Sequence, residues 1–183
     1  VGQVGRSMMD REAFQEIDYR RMFGEITKWV AQIEDPKRIP EYINRAFYTA
    51  TSGRPGPVVL ALPEDMLTEL ADSPPVNSYQ KVQPYPSPSD LETLQSLLNA
   101  ANAPLMVVGG GGWDTAACSK IQEFAERNNL PVGCSFRCQD YFDNRHPNYV
   151  GHIGIGLSPS LEKRVLEADL LLVVGARLGE ITT

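Results

Sequence analysis

The run Leu170-Leu171-Leu172-Val173-Val174, closed by Gly175, restricts the possible folds of this chain more than any other stretch. Aliphatic residues that do not alternate with polar ones make a strand that must be covered on both faces. That is the situation of a parallel sheet held between layers of helix. Residues 58–62, 105–108 and 131–135 are further runs of strand length. Amphipathic helices lie between them. Ile39, Ile43, Ala46, Phe47 and Ala50 form one stripe, Leu91, Leu94, Leu97 and Leu98 a second, and Ile121, Phe124 and Ala125 a third. Ser158-Pro159 opens another helix that runs through Ala168. Such alternation implies an α/β chain. Its second part is a parallel, doubly wound, Rossmann-like sheet, preceded by a partial α/β domain.

The turn Ser52-Gly53-Arg54-Pro55-Gly56-Pro57 feeds the first of these runs. Its helix, turn and strand read as the closing unit of a parallel sheet whose other strands are missing. Residues 8–16 are expected to form a short helix or turn with Asp10 as N-cap, and 18–28 a loop with a helical turn. Glu64-Asp65 and Ser89-Asp90 read as helix caps, residues 1–5 as a loop, and 136–159 as a long loop. Pro74, Pro75, Pro84, Pro86 and Pro88 mark 71–88 as an extended connector, dividing the chain into 1–70 and 89–183. Both ends read as those of an internal fragment, and the open sheet edges lead us to expect a homo-oligomer.

A net charge of −6 and a pI near 5.0 lack the basic footprint of a nucleic-acid binder. No apolar run approaches the ~18 residues of a membrane span, and the N-terminus is not a signal peptide. Cys118, Cys134 and Cys138 are odd in number and scattered, and His146 and His152 lack ligand spacing. Free thiols in a reducing, cytoplasmic compartment are expected, and no metal site.

Strand, glycine turn and helix together form a phosphate cradle, because backbone N–H groups and a helix N-terminus face an anion. Gly109-Gly110-Gly111-Gly112 has that setting, but the dinucleotide fingerprint fails. Its third glycine would fall on Asp114 or Thr115, and the acidic residue expected after the next strand is replaced by Ser135, Phe136 and Arg137. Gly110, Gly111 and Gly112 with Gly175, Ala176 and Arg177 remain candidates for another nucleotide-like ligand. Glycines needed only for close packing satisfy the same pattern. Without a nucleophile elbow, a P-loop or paired acids, residue chemistry stops there.

Several stretches together resemble the thiamine diphosphate-dependent enzymes of the acetolactate synthase group. They are Gly2-Gln3-Val4, Ala13-Phe14-Gln15-Glu16, Ile26-Thr27-Lys28, Ser52 through Val58 with Leu62-Pro63-Glu64-Asp65, and Val174-Gly175-Ala176-Arg177. The resemblance implies that 1–70 is the C-terminal part of a pyrimidine-binding domain and 89–183 most of a central domain. In such enzymes thiamine diphosphate, held with Mg2+, takes a 2-keto acid, releases carbon dioxide and stores the carbanion for a proton or a second carbonyl compound such as an aldehyde. By the resemblance, Gln3, Phe14 and Gln15 lie on the substrate side, Lys28 matches a nearby lysine, and Arg54 matches an arginine that contacts FAD. Two departures, Gly154-Ile155-Gly156-Leu157 without a histidine and Leu178-Gly179-Glu180-Ile181 without an acidic pair, point away from FAD and towards a flavin-free branch. The chain has no Gly-Asp-Gly triplet for magnesium and diphosphate, so catalysis by these residues alone is not expected. Two other readings stay open: a module binding FAD, ADP or coenzyme A, and a ligand-free structural or assembly domain.

Overall fold

The computed structural model describes residues 1–72 and 77–182. Pro74, Pro75 and Val76 of the expected connector lie outside the described residues. The chain forms two compact units, Val1–Tyr85 and Pro86–Thr183.

In the first unit, β3 (Val58–Pro63) is the central strand of a parallel three-stranded sheet ordered β1-β3-β2. Its partners are β1 (Gly2–Gln3) and β2 (Trp29–Gln32), with Gly2 opposite Leu62 and Trp29 opposite Val58. Residues 1–5 are thus not simply a loop, and the expectation that the other strands are missing is overturned, since β1 and β2 both pair with β3. They are too short to carry a period: β1 has two residues, and β2 four. α1 (Tyr19–Phe23) is capped by the Asp18 carboxylate, which accepts the N–H of Arg20 and Arg21. α2 (Ile39–Thr51) starts with Pro40 in its first turn and ends at Ser52, followed by Gly53 at φ 55°. Ile33 and Met66 are fully buried beside Ala31 and Ala61.

Two local expectations fail here. Residues 9–12 and 14–15 are turns, which agrees with the expected helix or turn, but Asp10 caps no helix: its own N–H donates to the Glu16 carboxylate. Asp65 makes no cap bond either. Its carboxylate accepts the N–H of Arg6 at 3.0 Å and Arg6 Nε at 2.8 Å. Those bonds hold it below the usual carboxylate range. Arg6 also donates to the Glu34 carbonyl and to Glu69, so it ties together the carboxyl ends of all three strands. The described part of the connector packs on α2, where Tyr79 stacks on Phe47 at 6.0 Å and shares a hydrogen bond with the Thr51 hydroxyl.

In the second unit, β4 (Pro104–Val108), β5 (Val132–Ser135), β6 (Tyr149–Ile153) and β7 (Leu170–Val174) are all parallel, in the order β6-β5-β4-β7. β6 falls inside the expected long loop. Gly151 at φ 123° and a register shift beside Val132 and Gly133 interrupt it, so its sequence shows neither alternation nor an unbroken apolar run. α3 (Pro88–Ala100) is capped two residues earlier than Ser89-Asp90 suggests. The Ser87 hydroxyl accepts the Asp90 N–H, and the Asp90 carboxylate accepts the Ser87 N–H at 2.9 Å, making a capping box with Pro88 at the first helical position. Asp114 caps α4 (Thr115–Arg127), and Ser158 caps α5 (Pro159–Glu167).

Of the aliphatic runs, β4 and β5 are the buried strands. β7, expected to be covered on both faces, is instead an edge strand with no buried residue and Leu171 40% exposed, because among the described residues β4 is its only strand partner. Met106 and Val108 join Ala125, Leu130, Val132, Cys134 and Phe142 on one face. Leu105 and Val107 join Ile153 and Leu161 on the other. All three cysteines are free, and burial pushes the Cys134 thiol up to about 12. Among the described residues, no helix is long and apolar enough to cross a membrane.

Candidate functional site

The predicted site residues fall into separate places. In the first unit a cleft of about 290 Å³ opens at the carboxyl ends of β1 and β2. Of Gln3, Phe14, Gln15 and Lys28, only Gln3 lines it. Gln3 is 8% exposed, and its amide is fully engaged. Nε2 donates to the Ile17 carbonyl at 2.8 Å and to Gln32 Oε1 at 3.4 Å, while Oε1 accepts the Val4 N–H at 3.0 Å. Gln3 therefore works as a brace between β1, β2 and the chain entering α1. Gln32, on the other side of that brace, passes its amide to Glu34 Oε1 at 2.7 Å. Gln32 was not legible as a site residue, because a strand of four residues carries no motif.

Phe14 and Gln15 stand outside this cleft, on a loop where Phe14 is 90% exposed and Gln15 has φ 67°. Lys28 lies elsewhere again. Its Nζ donates to the Ser52 carbonyl at 2.6 Å and its stem packs against Gly56, so it closes the turn at 52–57. Arg54 is exposed on that same turn. Lys28 and Arg54 thus share one loop, Phe14 and Gln15 another, and Gln3 braces the floor of the cleft.

The cleft does not suit the cofactor implied by the resemblance. Asp10, Glu16, Asp18 and Glu34 line it against Arg20, and a diphosphate brought there would meet a field of its own sign. Among the described residues, no group of three or more His, Cys, Asp or Glu could hold a metal ion.

The second place is the switch point of the four-stranded sheet. β4 connects to β5 on one side and lies beside β7 on the other, so the glycine turns leaving β4 and β7 meet where strand order reverses. Open α/β sheets bind ligands at such crevices. Here the backbone itself fills most of it. A Cβ on Gly110 would lie 1.9 Å from the Gly175 carbonyl oxygen, and one on Gly175 would lie 2.5 Å from the Gly109 oxygen. A Cβ on Gly109 would meet side chains instead, 1.8 Å from Ser135 Oγ, 2.8 Å from Ser135 Cβ and 3.1 Å from Ala176 Cβ. Gly110 and Gly175 also have φ of 77° and 72°, which favour glycine.

Two aromatic side chains take the remaining carbonyls. Trp113 Nε1 donates to the Gly109 oxygen and the Tyr141 hydroxyl to the Gly110 oxygen, each at 2.8 Å, with the rings stacked 5.3 Å apart. Of the predicted glycines, Gly111 and Gly112 alone face open space, on a shallow apolar groove that Lys120, Ile121 and Val174 also line. Ala176 lies against Gly109, whereas Arg177 is exposed. The geometry brings Gly110 through Gly112 and Gly175 together as a joint between two strand ends. Trp113 and Tyr141 complete it, and neither stood out in the sequence.

Residues 91–183 match the family model described as thiamine pyrophosphate enzyme, central domain. Among curated proteins, an acetolactate synthase of Arthrospira platensis is 33% identical over 189 residues, covering 98% of this chain. The acetolactate synthase isozyme 1 large subunit of Escherichia coli K12 is 32% identical over 182 residues, also covering 98%. The chain spans about a third of the length of these relatives, 33% and 32% respectively. The structure of a benzoylformate decarboxylase from Polynucleobacter necessarius superposes with a TM-score of 0.79 at 28% identity, covering 99% of this chain and 36% of that one. A thiamine diphosphate-dependent 4-hydroxybenzoylformate decarboxylase of Rhodococcus jostii RHA1 gives 0.80 at 26%, covering 99% of this chain and 35% of that one.

Proposed function

The chain belongs to the thiamine pyrophosphate enzyme family, and on that premise we propose that the whole protein is a 2-keto acid decarboxylase or carboligase of acetolactate synthase type. The observation that carries the reading is similarity along almost the whole chain to two kinds of relative, acetolactate synthases and benzoylformate decarboxylases. The former supply the carboligase option and the latter the decarboxylase option, with a 2-keto acid as the shared substrate class. In this reading residues 1–70 are the C-terminal part of a pyrimidine-binding domain, 71–88 a connector and 89–183 a central domain. Thiamine diphosphate with Mg2+ supplies the electron sink of the reaction. The cleft around Gln3 does not hold that group, so no step is assigned to it. Phe14 and Gln15, exposed on one loop, are proposed to face the substrate, and Lys28, which is bonded to the separate turn that carries Arg54, is proposed to support the same side.

The test uses the whole protein with thiamine diphosphate and a magnesium salt, and measures carbon dioxide released from pyruvate and from benzoylformate. Release from at least one is the expected result, and release from neither overturns the reading. The 183-residue chain alone is expected to show the same melting temperature with and without thiamine diphosphate and magnesium. A saturable upward shift would reveal a complete site within it.

For the glycine joint we propose packing rather than a flavin or nucleotide site, because Gly109, Gly110 and Gly175 are already filled against protein atoms. We also propose a homo-oligomer in the cytoplasm. The free thiols support the reducing compartment. β7 supports self-association, since it is an edge strand of five aliphatic residues without proline or charge. Light scattering of the chain is expected to show a dimer or larger species, and a monodisperse monomer overturns this.

A further inference from the structure

Asp10, Glu12 and Gln15 adopt φ of 60°, 55° and 67° within one six-residue loop. Residues with a Cβ avoid that region, and several so close together persist only where their surroundings over-determine them. One carboxylate does so here. Glu16 Oε1 accepts the Asp10 N–H at 2.7 Å, and Glu16 Oε2 accepts the Ala13 N–H at 3.2 Å. The Glu16 N–H in turn donates to the Ala13 carbonyl at 3.0 Å. Glu16 therefore secures both the start and the middle of the loop, whose Phe14 side chain stands 90% exposed.

We infer that Glu16 is a positioning residue, which holds loop 10–15 in its left-handed form so that Phe14 and Gln15 are set out for the substrate. The inference rests on the assignment of those two residues to the substrate side. It requires a carboxylate in particular. Two N–H groups converge on two oxygens, and an amide of the same shape offers only one acceptor. Misplacing a substrate-facing side chain by about 1 Å is enough to cost roughly a hundredfold in rate.

The experiment compares Glu16→Ala and Glu16→Gln, with Phe14→Ala and Gln15→Ala as references. Amide hydrogen exchange is followed in the 183-residue chain, and steady-state kinetics on a 2-keto acid in the whole protein. In Glu16→Ala, exchange at Asp10 and Ala13 is expected to accelerate at least tenfold. In Glu16→Gln, one of the two amides accelerates and the other keeps most of its protection. In the whole protein both variants are expected to lose about tenfold or more in kcat/KM for the 2-keto acid. The concentration of thiamine diphosphate giving half-maximal activity should not move, a split that general unfolding would not produce.

Unchanged exchange in Glu16→Ala overturns the inference outright. Accelerated exchange with kcat/KM within twofold of the parent also overturns it, provided Phe14→Ala or Gln15→Ala is impaired. Should both reference variants be silent in a protein that does release carbon dioxide, the assignment of the loop to the substrate fails and the inference falls with it. A parent with no 2-keto acid activity is the separate failure of the family-based reading, and it too removes the role inferred for Glu16.

Discussion

Gly110→Ala is expected to lower the melting temperature of the second unit by more than about 10 °C, the largest effect of any single substitution at the candidate sites. Two costs combine. At φ 77° the backbone occupies the left-handed region, which penalises a side chain by about 1–2 kcal/mol. The added Cβ would also lie 1.9 Å from the Gly175 oxygen and 2.8 Å from its carbonyl carbon, far inside contact distance. Neither neighbour is a flexible side-chain end, so relief requires β4 and β7 to part at their carboxyl ends. Together these place the loss at about 3 kcal/mol or more, and each kcal/mol moves Tm by about 4–8 °C in a unit of this size. Gly111→Ala is the matched control. A Cβ there meets nothing within 4 Å, and its cost should stay within about 0.5 kcal/mol. Equal melting temperatures for the two variants would show that the strand ends are not in close contact.

Leu105→Ala and Met106→Ala should each cost about 2–5 kcal/mol in chemical denaturation of the second unit. Both side chains are fully buried, and they sit on opposite faces of β4. The loss combines the transfer free energy of the deleted atoms with the cavity left behind, and the central strand of a two-sided sheet has little freedom to collapse. The pair tests the two-sided architecture itself. In a sheet covered on one face only, one substitution would be severe and its neighbour mild. Leu97→Ala on α3, where the side chain is half exposed, supplies the surface reference and is expected to cost less than about 1 kcal/mol. A value below about 1 kcal/mol for Leu105 or Met106 would show that its face is open.

What could be read from the residues alone follows the reach of each interaction. Ser158-Pro159 at the start of α5 and the aliphatic stretches that become β3, β4 and β7 are local signals, and the structure keeps each of them as an element. Competition between equally local devices produced the errors. Ser87 and Ser89 both stand within reach of Asp90, and only the first has the spacing for a reciprocal box. Asp10 and Asp65 have the composition of caps, yet no helix follows Asp10 before Tyr19, and the Asp65 carboxylate is taken by Arg6, 59 residues away. Strands β1, β2 and β6 escaped because two to five residues, interrupted in β6 by glycine, leave no measurable period.

The candidate sites divide along the same line. The sequence by itself determined the α/β class, the aliphatic runs that become strands and the motif order by which family resemblance was legible. All of these depend on residue type and spacing along the chain. Only the tertiary structure decided that Gln3 is a fully bonded brace, that Lys28 closes the turn beside Arg54, and that Gly110 is wedged against Gly175. It also brought Trp113 and Tyr141 onto the carbonyls of the glycine turn, and the two oxygens of Glu16 onto two amides of a strained loop. Such roles depend on which groups meet across a fold, and no periodicity along the chain encodes those distances.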